Sequence, residues 1–270
     1  MGIVNVTPDS FSDGGKFFDS AAAIEQGVKL AAEGADILDV GGESTRPGAE
    51  AVDADEELRR VVPVIAALCE KTSVPVSVDT SKAAVAAEAI NAGAEIINDV
   101  TALEADPRMI PLAAERGCGV CAMHMQGTPR TMQQSPSYDN VVEEVAGYLA
   151  ERRDELLAAG IEPERIALDP GIGFGKTTRH NLELLGNMRP FHELGCTLLV
   201  GHSRKRFIGQ VIDDMQCDRT PGTIAAALVL AEQGVQVIRV HDVAAVRQAL
   251  LVWRAIHTHD TRDGKQSGDS

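Results

Sequence analysis

Eight short apolar runs, each with a polar residue or a glycine at or next to its end and each followed by a stretch of helical period, restrict what this chain can fold into. The runs are Gly2–Val6, Asp36–Val40, Pro75–Asp79, Glu95–Asp99, Gly119–His124, Arg165–Asp169, Thr197–Gly201 and Gln236–His241. Strands this short and this apolar are buried on both faces, and their alternation with helices makes the sheet parallel. The Ala/Glu/Leu-rich stretches between them lie near Ser20–Glu33, Ala54–Lys71, Lys82–Ala92, Asp106–Arg116, Asp139–Ala159, Asn181–Glu193, Thr220–Gln233 and Val243–Ile256. Gly34, Gly93 and Gly234 stand where three of these helices should stop. Eight such repeats with no linker or break in composition predict an α/β fold, a closed (β/α)8 TIM barrel in one domain over residues 1–257. Residues 258–270 are expected to form a flexible tail, with His257-Thr258-His259 solvated rather than metal-binding.

Charge and cysteine usage exclude several functions. With 25 basic and 40 acidic side chains the net charge is −15, which repels nucleic acid and anionic membrane over the surface as a whole. An anionic substrate must therefore meet local cations. No apolar run reaches membrane-span length and the first residues lack a signal-peptide layout, so the chain reads as cytoplasmic. Five cysteines, an odd number, read as free thiols, and Cys118-x-x-Cys121 enters a strand instead of opening a helix, which makes it core rather than redox pair.

In a barrel of this kind the chemistry sits at the C-terminal ends of the strands. Those ends carry Asn5, Asp39, Asp79, Asn98 and Asp99, His124, Asp169, Ser203-Arg204-Lys205, and Arg239 with His241. Asp39, Asp79 and Asp169, each preceded by apolar residues, read as carboxylates aimed at a site, whereas Asp99 and Asp242 read equally well as caps of the helices that follow. Two polar loops, Asn5–Gly15 and Gly41–Ala49, are too rich in amide, hydroxyl and charged groups to be plain connectors. The stretch Asp169–Lys176 imitates a nucleotide loop and fails: a P-loop requires glycine where Pro170 stands, and a dinucleotide fingerprint requires glycine where Lys176 stands. What remains is a carboxylate followed by a turn that only glycines can make.

Taken together, Asn5–Gly15, Asp39–Gly48, Val78-Asp79-Thr80, Ile97-Asn98-Asp99, Met123–Pro129, Asp169–Lys176, Gly201–Lys205 and Arg239–Val243 resemble the dihydropteroate synthase family, in order and across nearly the whole chain. The resemblance implies condensation of 6-hydroxymethyl-7,8-dihydropterin pyrophosphate with para-aminobenzoate, by departure of pyrophosphate before the arylamine attacks. It also implies Mg²⁺ held by Asn5, and a homodimer. By the same resemblance Asp79, Asn98, Met123, Asp169, Gly173 and Lys205 hold the pterin. Asn5, Arg46, Arg239 and His241 take the pyrophosphate, and Phe11, Thr45, Pro47, Phe174, Lys205 and Arg206 take the aminobenzoate. Asp79, Lys205, Arg239 and His241 are the residues expected to carry the catalysis.

The residue types fit the chemistry on their own terms. A pterin edge is a fixed row of donors and acceptors, answered by two carboxylates, an amide and an ammonium. Arg239 and His241, two apart on one strand, share a face suited to a departing anion. The chain departs from the family pattern at Arg206, where many relatives have serine. It also departs at Met1, which stands at the first strand, so either the start is late or the barrel floor is less covered. A barrel methyltransferase acting on methylfolates is the alternative, expected to lack the Phe11 and Thr45-Arg46-Pro47 loops. An ordinary first loop, with no residue inserted beside Phe11, implies sensitivity to sulfonamides.

Overall fold

The computed structural model describes residues 1–6, 16–45, 48–49 and 51–259. Its strands are β1 (Gly2–Asn5), β2 (Leu38–Gly41), β3 (Val76–Asp79), β4 (Ile96–Asp99), β5 (Gly119–Met123), β6 (Ile166–Asp169), β7 (Thr197–Gly201) and β8 (Val237–Arg239). Each pairs in parallel with the next in sequence. A bridge between Gly2 and Val240 joins last to first, through Ile3 N–H to Val240 O (3.0 Å) and Val240 N–H to Met1 O (2.9 Å). The expected (β/α)8 barrel is therefore present.

The helices are α1 (Lys16–Ala32), α2 (Ala54–Lys71), α3 (Ala83–Asn91), α4 (Met109–Arg116), α5 (Val141–Ala158), α6 (Thr178–Leu185), α7 (Arg189–His192), α8 (Arg206–Ile212), α9 (Thr220–Glu232) and α10 (Val243–His259). Clear caps gave accurate starts: Asp53 accepts from Glu56 N–H at the start of α2. The stretch 181–193, expected as one helix, is two. Thr177 and His180 form a reciprocal cap that starts α6 earlier, and Pro190 confines α7 to a fresh first turn after Gly186. The fourth helix starts at Met109 and not Asp106, because the Asp106 carboxylate is engaged with Arg108 and with the N–H of Ala83. At the C-terminus α10 continues through His259. His257 and Thr258 thus lie in the helix and not in a tail, the His257 ring resting 4.4 Å from that of Trp253.

The core fills the layer between strands and helices, with Val40, Val78, Ile97, Leu168 and Val200 meeting Ile65, Leu68, Leu149 and Leu230. Each such side chain contributes about 1.5–3 kcal/mol by leaving water. Cys118, Cys121 and Cys196 are buried free thiols, as the strand position of the Cys-x-x-Cys implied.

Strand register assembles the site. Asn5 pairs with Gly41, Gly41 with Asp79, and Asp79 with Asn98, so these four residues form one row across β1–β4. On the other side of the ring Met123 pairs with Asp169 and Gly201 with Arg239. Paired residues in parallel strands point the same way, and every polar member of the two rows is brought to one end of the barrel.

Candidate active site

Arg239 stands at the centre of a buried charge cluster. Its Nε donates to Asp39 Oδ2 at 2.6 Å and its NH2 group to Asp79 Oδ2 at 2.7 Å, while Asn98 Nδ2 donates to the same Asp39 oxygen at 3.0 Å. Asp39 is fully buried and Asn98 and Asp169 nearly so. Burial pushes the Asp79 carboxyl up to about 7, against the downward pull of Arg239. Glycines flank the convergence, at positions where a Cβ would make ordinary van der Waals contact. A Cβ at position 41 would stand 3.7 Å from Asp79 Oδ2, and one at position 201 would stand 3.8 Å from both Asp169 Oδ2 and Arg239 Cδ. Asp39, read from sequence as a carboxylate aimed at a site, is a counter-ion of Arg239. Asp99 instead serves its own loop, accepting from Thr101 N–H and Oγ1 and from Leu103 N–H. Asp242, directly before α10, pairs with Arg204.

The glycine turn after β6 forms the opposite wall. Asp169 Oδ1 accepts the N–H of Gly171 at 2.7 Å. Gly171, at φ +68°, presses so closely on β5 that a Cβ would meet His124 O at 1.9 Å. Gly173, at φ +84°, leaves room for Lys205, whose Cδ would lie 2.8 Å from a Cβ there. The Lys205 ammonium bonds the carbonyl of Ile172 and stands 4.2 Å above the centre of the Phe174 ring. Burial draws its pKa down to about 7, although Asp169 nearby pulls the other way; burial likewise raises that of Asp169, with Lys205 opposing. A half-buried cation and a buried carboxylate thus face the space between β6 and β7. Lys205 can give up a proton near neutral pH, and both groups can bond a ligand placed between them.

Lys176, which resembles the lysine of a nucleotide loop, is buried in this wall. Its Nζ reaches His124 Nδ1 at 2.9 Å and Phe174 O at 3.0 Å. Burial holds His124 down at about 3, so its imidazole is neutral and accepts from the ammonium. Lys176 fastens the glycine turn to the end of β5. Sequence reasoning had no signal for this, since the tie joins residues 52 apart.

At the rim, His241 lies just past β8, its ring Nδ1 3.0 Å from Ser203 Oγ. Asn5, His241, Arg204 and Asp242 line a cavity of about 480 Å³ that opens between α1 and α10. Met123 is buried beside Asp169, Thr45 is half-buried beyond β2, and Arg206 is exposed at the first position of α8. Phe11, Arg46 and Pro47 lie outside the described residues. No group of three or more His, Cys, Asp or Glu side chains able to hold a metal occurs among the described residues. Asn5 offers one neutral oxygen at the end of β1, a donor suited to a hard cation that takes its other ligands from phosphate and water.

Residues 1–241 match the model of the pterin binding enzyme family. The chain is 48% identical to the dihydropteroate synthase of Haemophilus influenzae over 255 residues, which is 94% of this chain and 92% of that protein. Among solved structures it is similar to the Yersinia pestis dihydropteroate synthase in a sulfonamide drug complex, with TM-score 0.89, 45% identity and coverage of 96% and 94% of the two chains. It is also similar to the dihydropteroate synthase of Xanthomonas albilineans in complex with 7,8-dihydropteroate, with TM-score 0.86, 46% identity and coverage of 95% and 92%.

Proposed function

The chain belongs to the pterin binding enzyme family and, within it, to the dihydropteroate synthases of folate biosynthesis, and we propose that its barrel mouth runs their reaction with the following division of labour. The pterin of 6-hydroxymethyl-7,8-dihydropterin pyrophosphate lies between the two rows of strand ends. Asp169 and Asp79 accept from its ring N–H and amino groups, and Asn98 and Lys205 meet its remaining edge, with Met123 and Gly173 beside it. The observation that carries this reading is the pair of facing charge sets, Asp39–Arg239–Asp79 across from Asp169 and Lys205. Each set holds a cation against carboxylates in a largely buried, preorganised arrangement, which suits a flat heterocycle that becomes cationic as its leaving group departs.

Pyrophosphate leaves toward the rim, where Asn5, His241, Arg46 and Arg239 face it. Mg²⁺, held by Asn5 together with the phosphates, would neutralise the departing charge. The guanidinium of Arg239 pulls Asp79 toward its ionised form beside the developing cation, against the effect of burial. No protein nucleophile is needed; the chain contributes positioning and electrostatics. Para-aminobenzoate then enters over Phe174 and Lys205, between the loops carrying Phe11 and Thr45-Arg46-Pro47, with Arg206 available to its carboxylate.

Val229 on α9 and Leu251, Val252 and Ile256 on the adjoining α10 are exposed apolar side chains, which supports pairing of two copies across these helices. No helix among the described residues is long and apolar enough to cross a membrane, and we place the enzyme in the cytoplasm.

Purified protein given both substrates and Mg²⁺ should release pyrophosphate and form 7,8-dihydropteroate. Chelation of the metal should stop it, and restored Mg²⁺ should recover it; absence of release above background would overturn the assignment. A sulfonamide, which imitates the aminobenzoate, should inhibit competitively with that substrate and not with the pterin. Turnover indifferent to saturating sulfonamide would contradict the loop assignment.

A further inference from the structure

Three charged side chains beneath the second polar loop take no part in the chemistry described so far. Glu57, on α2, is completely buried, and a carboxylate placed there requires a cation. Lys82 supplies it, with Nζ 2.5 Å from Glu57 Oε2, and the same ammonium bonds Glu43 Oε2. The other oxygen of Glu43 accepts the backbone N–H of Val52 at 3.3 Å. One carboxylate therefore draws together the two ends of the stretch 43–52 and ties both to Lys82.

The foot of this loop is fixed by further contacts. Arg60 NH1 donates to Gly42 O at 2.8 Å, and α2 lies so near that a Cβ at position 42 would meet Val61 at 2.8 Å. Lys82 is itself held by the turn that begins at Asp79, its N–H bonding Thr80 Oγ1 at 3.2 Å. A single ammonium thus connects the loop after β2 with the turn after β3. Closing a short loop at its ends removes much of the conformational freedom its residues would otherwise have.

We infer that Glu43, Lys82 and Glu57 form a clamp whose function is to position the start of the second loop, setting where Thr45 stands relative to Asp79 and so how well the aminobenzoate is held. None of the three touches a reacting atom; they are positioning residues. The choice of substrate rests on the synthase reading, whereas the clamp rests on contacts within the chain.

Four proteins test this: wild type, Lys82→Met, Lys82→Arg, and the double variant Glu57→Gln/Lys82→Met, which removes the fully buried carboxylate with its cation and leaves only the partly exposed Glu43 without its partner. Amide hydrogen exchange over residues 43–53 is read without substrate, and KM is read for each substrate. In Lys82→Met and the double variant, exchange of this segment should quicken about tenfold as its opening becomes easier. The KM for aminobenzoate should rise roughly tenfold through misplacement of Thr45, and the KM for the pterin pyrophosphate should rise less, because Arg46 is its one assigned partner on this loop. Lys82→Arg, which restores the cation, should return both toward wild type. Unchanged exchange in the folded double variant would overturn the clamp. Faster exchange with an unchanged aminobenzoate KM would overturn its positioning role. A wild type without turnover would remove the synthase reading instead, leaving the exchange rates to decide the clamp.

Discussion

Lys205→Ala should lower kcat/KM by roughly 10³-fold while leaving a folded barrel, the scale expected when a preorganised electrostatic partner is removed from a dry site. The ammonium sits where no other group can substitute: above the Phe174 ring, on the Ile172 carbonyl, in the space that Gly173 leaves open. The fold should survive because Lys205 costs stability in the free enzyme. Its pKa is drawn from 10.5 down to about 7 by burial. The unfolded chain therefore binds more protons than the folded one between those values, and stability rises with pH across that window. Below about 7 the cost is felt in full, so removing the side chain relieves it there. Pyrophosphate release and urea denaturation at pH 6.5 report the two effects separately. Lost activity together with lost stability would mean that Lys205 is structural, and retained activity would remove it from the site.

The barrel was legible because each strand is short and apolar with a polar residue at or near its end, and because local caps such as Asp53 mark helix starts. The errors came where a local signal was incomplete. The break between α6 and α7 depends on Pro190 at a first turn, which an apolar period running across 181–193 conceals. The identities of the polar strand ends were also legible, since strand alternation and barrel polarity place them at one mouth. Their partners were not. That Asp39 belongs to Arg239, 200 positions away, follows only from closing β8 onto β1. Lys176 shows the same limit from the other side. Sequence excluded it from a phosphate loop, but its bond to His124 exists only because Gly171 and Gly175 let the turn fold flat onto the end of β5, a Cβ at 175 falling 2.5 Å from Gln126 O. Clamp residues Glu57 and Lys82 gave no signal either, because a Glu on an amphipathic helix reads as solvated until the helix is docked.

Arg239→Met should be the most destabilising of these substitutions, by about 3–5 kcal/mol at pH 8, because it leaves two buried carboxylates without their cation. Asp39 is fully buried, and its Oδ1 has no hydrogen-bond partner among the described residues, so the guanidinium and Asn98 on Oδ2 are what hold it. The loss should depend on pH, with a sign that Asp79 sets. Its carboxyl already titrates at about 7 in the fold against 3.8 unfolded, and Arg239 is what opposes a higher value. Without Arg239 the folded value climbs further, and ionised Asp79 then costs more. A group raised in the fold contributes stability that is present below its unfolded value and lost as pH rises through its folded value. The variant should therefore recover as pH falls from 8 toward 5, and its deficit against wild type should narrow. Urea denaturation of both proteins at pH 5 and pH 8 reads this directly. A deficit equal at both values would mean that Arg239 stabilises by packing its stem, and that Asp79 is not held ionised by it. Turnover should fall with Arg239 at either pH, since the same guanidinium that pulls Asp79 toward its charged form is proposed to face the departing pyrophosphate. Recovery of stability at pH 5 without recovery of activity would separate its two roles.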